Sequence, residues 1–108
     1  KNNLPASTMD KMRTKCLSTI LIEDEKVRVT RFDFEPGQET GWHEHGYDYV
    51  ITAITNCDME PENSDGTKST AKIKGGNAYS RKAGVRHNVI NSSNKIMTFI
   101  EIELKSSN

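Results

Sequence analysis

The sequence predicts an all-β protein, a small sandwich or barrel, and three observations carry that prediction. Helical periodicity is absent beyond residue 15. Runs rich in Ile, Val, Thr and Phe recur at intervals of roughly ten residues, the spacing of sandwiches and barrels. Turn-forming pairs such as Pro36-Gly37, Asp65-Gly66 and Gly75-Gly76 punctuate them.

In chain order, residues 1–14 are polar and irregular, with at most one helical turn near Thr8–Met12. Cys16–Glu23 and Lys26–Glu35 read as the first two strands, joined by a tight polar connection at Asp24-Glu25. Pro36-Gly37 ends the second. Gly41–His45 and Asp48–Thr55 follow, broken near Gly46. Glu60–Gly66 is the most loop-like stretch, and its Asp65-Gly66 is a hairpin signal. Thr67–Lys74 and Asn77–Lys82 are the next strands, followed by Val85–Asn91. Lys95–Leu104 closes the chain, with Ile96, Ile100, Ile102 and Leu104 in one parity class. The boundaries expected are an N-terminal segment over 1–15 and one β domain over 16–108.

Composition narrows the function. The 108 residues fit one domain with a modest core, which barrel closure or pairing with a second copy would assist. Fifteen basic residues balance fifteen acidic ones, so no general attraction to nucleic acid or to an anionic membrane is expected. The mean hydropathy of −0.73 and the lack of any apolar run near the roughly 20 residues of a membrane helix point to a soluble chain. Residues 1–5 show no apolar signal region, and a cytoplasmic location is expected. Cys16 and Cys57 are then read as reduced thiols on half-buried strand positions.

All three histidines fall where a metal site would use them. His43 and His45 flank Glu44, and on a strand such a pair presents both imidazoles to one face. His87 lies more than forty residues on and completes a three-nitrogen set if its strand is adjacent. By the same parity Tyr47 and Tyr49 face the histidine side, as do Tyr79 and Arg81 if no bulge intervenes. Trp42 falls on the opposite face and is read as core or dimer packing. Phe32, Phe34 and Phe99 are read as barrel filling and Lys82 as a solvated turn residue; Glu101 is read as an exposed edge position in preference to one reaching into the cup from the last strand. Asn91 is expected to fix a turn by bonding backbone.

These residues resemble the cupin superfamily, whose barrels carry two motifs. In the first, G-x5-H-x-H-x3,4-E-x6-G, the opening is matched by Gly37, His43 and His45. In the second, G-x5-P-x-G-x2-H-x3-N, Gly76, Gly84, His87 and Asn91 match, with Lys82 in place of proline. The resemblance covers about residues 26–104. It implies a double-stranded β-helix, or jelly-roll barrel, with a divalent ion (Fe, Zn, Ni or Mn) on His43, His45 and His87. More narrowly, Pro36–Val50 and Tyr79–Asn91 are similar to small bacterial single-domain cupins, some of which take part in β-alanine or polyamine degradation. Small cupins commonly pair, so a homodimer is implied, with residues 1–15 lying over or crossing to the partner.

The chain departs from the first motif where its glutamate should stand. Positions 49 and 50 hold Tyr49 and Val50, so the carboxylate ligand is missing and Tyr49 is expected in its place, as ligand, hydrogen-bond donor or acid–base group. Arg81 is the natural partner of a substrate carboxylate, because its planar fork binds one bidentately. Tyr47 and Tyr79 complete the expected substrate contacts. Three functions remain open. One is a metal-dependent oxygenase, isomerase or lyase acting on a small carboxylate-bearing metabolite. Another is a ligand- or metal-binding sensing module without catalysis. The third is a structural relic without metal.

Overall fold

A computed structural model describes residues 13–105. Nine strands run in chain order: β1 (Leu17–Glu23), β2 (Val27–Phe34), β3 (His43–Glu44), β4 (Asp48–Ala53), β5 (Cys57–Asn63), β6 (Ala71–Ile73), β7 (Ala78–Arg81), β8 (Arg86–Asn91) and β9 (Met97–Leu104). Among the described residues there is no helix. The strands form two antiparallel sheets, ordered β1-β2-β9-β4-β7 and β3-β8-β5-β6. Their inner faces enclose the core of a double-stranded β-helix. The expected helical turn at Thr8–Met12 and most of the 1–15 segment lie outside the described residues. Arg13–Cys16 runs beside Glu39, with Cys16 N donating to Glu39 O and Glu39 N to Thr14 O.

The alternation of side chains builds that core. Along β4, Tyr49, Ile51 and Ala53 point in and are buried, while Asp48, Val50 and Thr52 do not. Phe34, Met97 and Cys57 are fully enclosed. Phe99 stands 5.3 Å from Phe32 and 5.5 Å from Phe34 between ring centroids, so the three phenylalanines fill the barrel as the sequence led one to expect. Burying each large apolar side chain contributes about 1.5–3 kcal/mol. Pro36-Gly37 makes its turn, with Gln38 N donating to Glu35 O and Gly37 at φ 82°, a region favourable only to glycine.

The structure corrects the sequence reading at several places. Glu60–Gly66 is not all loop, because β5 runs to Asn63 through Pro61, flanked by β8 and β6. The Pro61 carbonyl accepts from Ser69 N, which shows the flank that residue faces. Its nitrogen faces that same flank, where the ladder to β6 has already ended at Met59↔Ala71. In β9 the inward class is Met97, Phe99 and Glu101. Glu101 is therefore buried on the central strand β9, between Thr30 of β2 and Ile51 of β4, rather than exposed at an edge. Trp42 is 46% exposed with the Arg86 guanidinium 5.1 Å from its ring, so it is not core. Lys82 is solvated, as expected.

The isoleucine class of β9 looks outward. Ile22↔Val29, Val29↔Ile102 and Val50↔Ile102 are register partners. They set Ile22, Val29, Ile102 and Val50 in one apolar row across four strands, on the face turned away from the core. Ile22 and Leu104 on this sheet are exposed.

Candidate metal centre

Backbone geometry brings the three histidines together. Pairing of β3 with β8 places His43 directly opposite His87, and His45 follows β3 by one residue. His45 N donates to Val85 O and Gly84 N donates to His45 O, which lock that residue against the turn leading into β8. Gly84 takes φ 104° there, and the Asp48 carboxylate accepts from Ala83 N in the same turn. A buried amide secures the other side. Asn88 Oδ1 accepts from Gly41 N at 2.9 Å, and Asn88 Nδ2 donates to Glu39 and Glu62. Gly41, at φ 86°, turns its carbonyl onto His43 Nδ1 at 2.9 Å.

The Nε2 atoms then converge. His43 Nε2 and His87 Nε2 each lie 3.1 Å from His45 Nε2. Nitrogens bound at roughly 2.0–2.1 Å from one ion, at octahedral to tetrahedral angles, stand about 2.8–3.4 Å apart. The donor set therefore fits a divalent ion, and facing lone pairs at this distance repel unless a cation or proton lies among them. Burial lowers the His43 pKa. It also holds His87 down to about 4, with the neighbouring His43 and His45 adding to the effect. Both rings are thus neutral near pH 7, the form a metal requires. The gap among these side chains is small, about 30 Å³, lined by the histidines with Tyr49, Tyr79, Phe32, Met59, Glu101 and neighbours. That holds an ion or a water, not a metabolite. A wider groove of about 380 Å³ opens outward from His43 and His45 past Ser18, Ile20, Arg28, Thr30 and Glu103.

Comparison with known proteins places the fold in a family. No family model matches the chain. The Beta-alanine degradation protein BauB of Pseudomonas aeruginosa is 42% identical over 93 residues, covering 86% of this chain and 97% of that protein. The crystal structure of a cupin domain from Bordetella pertussis Tohama I superposes with a TM-score of 0.82 at 41% identity, covering 87% of this chain and 97% of that one. The chain belongs to the cupin superfamily. A cupin-family protein with a double-stranded β-helix fold from Methanocaldococcus jannaschii, at 16% identity and a TM-score of 0.70, covering 87% of this chain and 84% of that one, shares the fold alone.

Within this cupin the other expected site residues part company. Tyr49 is buried and lines the cavity, its ring stacked on His45 with centroids 3.8 Å apart. Burial raises its pKa to about 12, so the phenol keeps its proton. Tyr79 also lines the cavity. Arg81, opposite Tyr49 in the ladder, is exposed, with its guanidinium 4.3 Å from the Tyr79 ring, and does not line the cavity or the groove. Tyr47 is half-buried in the bend before β4 and lines neither. The sequence reading missed Asn88 and Thr40, and it ranked an exposed edge for Glu101 above the inward position that the structure shows. Thr40 Oγ1 stands 3.3 Å from His43 Nδ1 and accepts from Val89 N. Glu101 shares its parity with Met97 and Phe99, and that was the available signal. It was masked because both faces of β9 are apolar. His45, Glu101 and Glu103 also offer donor atoms within 4.8 Å of one another, but Glu103 is engaged by Arg28 at 3.3 Å. Among the described residues no helix is long and apolar enough to cross a membrane.

Proposed function

We propose that this cupin holds one divalent ion on His43, His45 and His87 and transforms a small carboxylate-bearing metabolite there, by oxygenase, isomerase or lyase chemistry. The observation that carries the reading is the convergence of the Nε2 atoms at 3.1 Å. Bound there, a divalent ion would supply Lewis acidity toward a carboxylate, carbonyl or water, and iron would add chemistry with O2. The chain supplies no charged donor in the ring of imidazoles, which leaves the ion its full charge and favours an anionic ligand. Tyr49, protonated and in the cavity wall, is assigned as hydrogen-bond and proton donor to that ligand, with Tyr79 beside it. Arg81 and Tyr47 line neither the cavity nor the groove, so no direct ligand contact is assigned to them. The printed name of the Pseudomonas relative ties that protein to β-alanine degradation, which makes short amino and oxo acids the first compounds to try. Elemental analysis of protein purified without chelator, beside the His43→Ala, His45→Ala, His87→Ala triple variant, tests the reading. Stoichiometric metal lost in the variant supports it. No metal after reconstitution sinks it.

A second reading follows from the cavity's size. The gap directly among the rings, about 30 Å³, has room for an ion or water only, so a module in which the ion stabilises the barrel and the outer groove of about 380 Å³ stays empty is the alternative. Substrate turnover by the metal-loaded protein decides against it.

We also propose a homodimer formed through the outer face of the five-stranded sheet. The row Ile22–Val29–Ile102–Val50 supports it, because an apolar stripe of this length is costly in water and a second copy would cover it. The unpaired thiols of Cys16 and Cys57 support a reducing compartment.

A further inference from the structure

The three rings differ in what stands behind them. His43 Nδ1 faces the Gly41 carbonyl at 2.9 Å. His45 Nδ1 faces a carboxylate, with Glu101 Oε2 at 3.1 Å and both side chains more than nine-tenths buried. That oxygen accepts no well-aligned hydrogen bond from any described residue, although it lies within bonding distance of the ring nitrogen. A buried carboxylate oxygen without a donor is costly unless some group needs it there. Glu101 cannot easily turn away, because it sits on the central strand β9 between Thr30 and Ile51. His45 is equally constrained, since Tyr49 stacks on its face. The carboxylate lies on the Nδ1 side of the ring, while Nε2 faces the other histidines.

We infer that Glu101 is a positioning residue: its carboxylate accepts the Nδ1 proton of His45 and thereby holds the Nε2 lone pair toward His43 and His87. This extends the metal reading above and rests on it for its purpose, though not for its geometry. An imidazole whose far nitrogen donates to a carboxylate is locked in one tautomer and is a more basic ligand. The glutamate also brings negative charge to a site with no carboxylate among its three donors. The carboxylate missing from position 49 or 50 is thus supplied from β9, behind a ligand instead of beside it.

The test compares wild type with Glu101→Gln and Glu101→Leu. In metal-stripped, nitrogen-labelled protein at mildly alkaline pH, ring nitrogen shifts are expected to show the His45 proton on Nδ1 in wild type and a mixture of tautomers in Glu101→Leu. Zinc affinity, read by competition with a chromogenic chelator, should fall about 10- to 100-fold in Glu101→Leu. The fall should be smaller in Glu101→Gln, whose amide oxygen still accepts. In metal-free protein Glu101→Leu leaves the buried His45 Nδ1–H without its acceptor, so its thermal midpoint should fall, and fall less in Glu101→Gln. A wild-type His45 protonated on Nε2 overturns the inference. So does a variant that loses stability while keeping wild-type tautomer and affinity, since Glu101 would then be only structural. If wild type binds no zinc, the metal reading fails, and the tautomer measurement alone still decides whether Glu101 orients His45.

Discussion

The ring of Tyr49 lies flat against His45, with centroids 3.8 Å and planes 20° apart. Where a cupin's first motif usually carries a carboxylate, this chain places an aromatic plate that steadies one of the histidines. The two parts of the side chain then separate in function. Tyr49→Phe keeps the plate and removes the hydroxyl, so metal content should be unchanged while turnover or ligand affinity falls. Tyr49→Ala removes both from a site that is 3% exposed, and large-to-small changes of this kind cost about 3–5 kcal/mol. Urea denaturation and metal analysis of the two variants check the separation.

Metal removal should destabilise the fold in a way that depends on the histidines. An ion at roughly a thousand times its dissociation constant adds about 4 kcal/mol of stability. Chelation of the loaded protein should therefore lower its melting temperature, and addition of chelator to His43→Ala should leave it unmoved. Calorimetry with and without chelator reads this directly.

The metal-free protein should weaken on mild acidification. Burial, then His43 and His45, hold His87 at about 4 against an ordinary 6.5. Between those values the unfolded chain binds the proton and the folded chain does not, so stability falls as pH drops through that window and is retained above it. His43, shifted in the same direction, adds to the slope. Urea midpoints measured from neutral pH to about pH 4 should show a steeper decline for wild type than for His87→Asn.

Pairing through the outer sheet face is most exposed to a charge at the centre of its apolar row. Ile102→Glu should move the protein from dimer to monomer in sedimentation velocity, with little change in fold because the side chain points away from the core. A wild type that sediments as a monomer would rule out this interface.

The barrel and the three converging imidazoles were legible in the sequence because both follow from short-range regularities. Turn pairs with glycine mark strand ends, and His-x-His spacing fixes a shared face. What was not legible depended on which of two plausible faces turned inward. Both parities of β9 are apolar in part, and only packing of Phe99 against Phe32 and Phe34 decides that Glu101 goes in and Ile102 goes out. Trp42 was read as core or dimer packing from its face opposite the histidines, but it precedes β3 and that face is open to solvent there. The Pro61 strand was hidden because a proline and two glutamates resemble a loop until the end of the β6 ladder is known.

β3 is only two residues long, lies at the edge of its sheet and bonds to β8 alone. Yet it delivers His43, and His45 leaves from its end. An ion gripped by these rings and by His87 would act as a reversible staple between segments more than forty residues apart, closing the weakest seam of the sheet. Hydrogen exchange should therefore be fastest at that seam in the stripped protein and slow markedly there on loading. Occupancy of the site would then be written into backbone protection, and not only into chemistry.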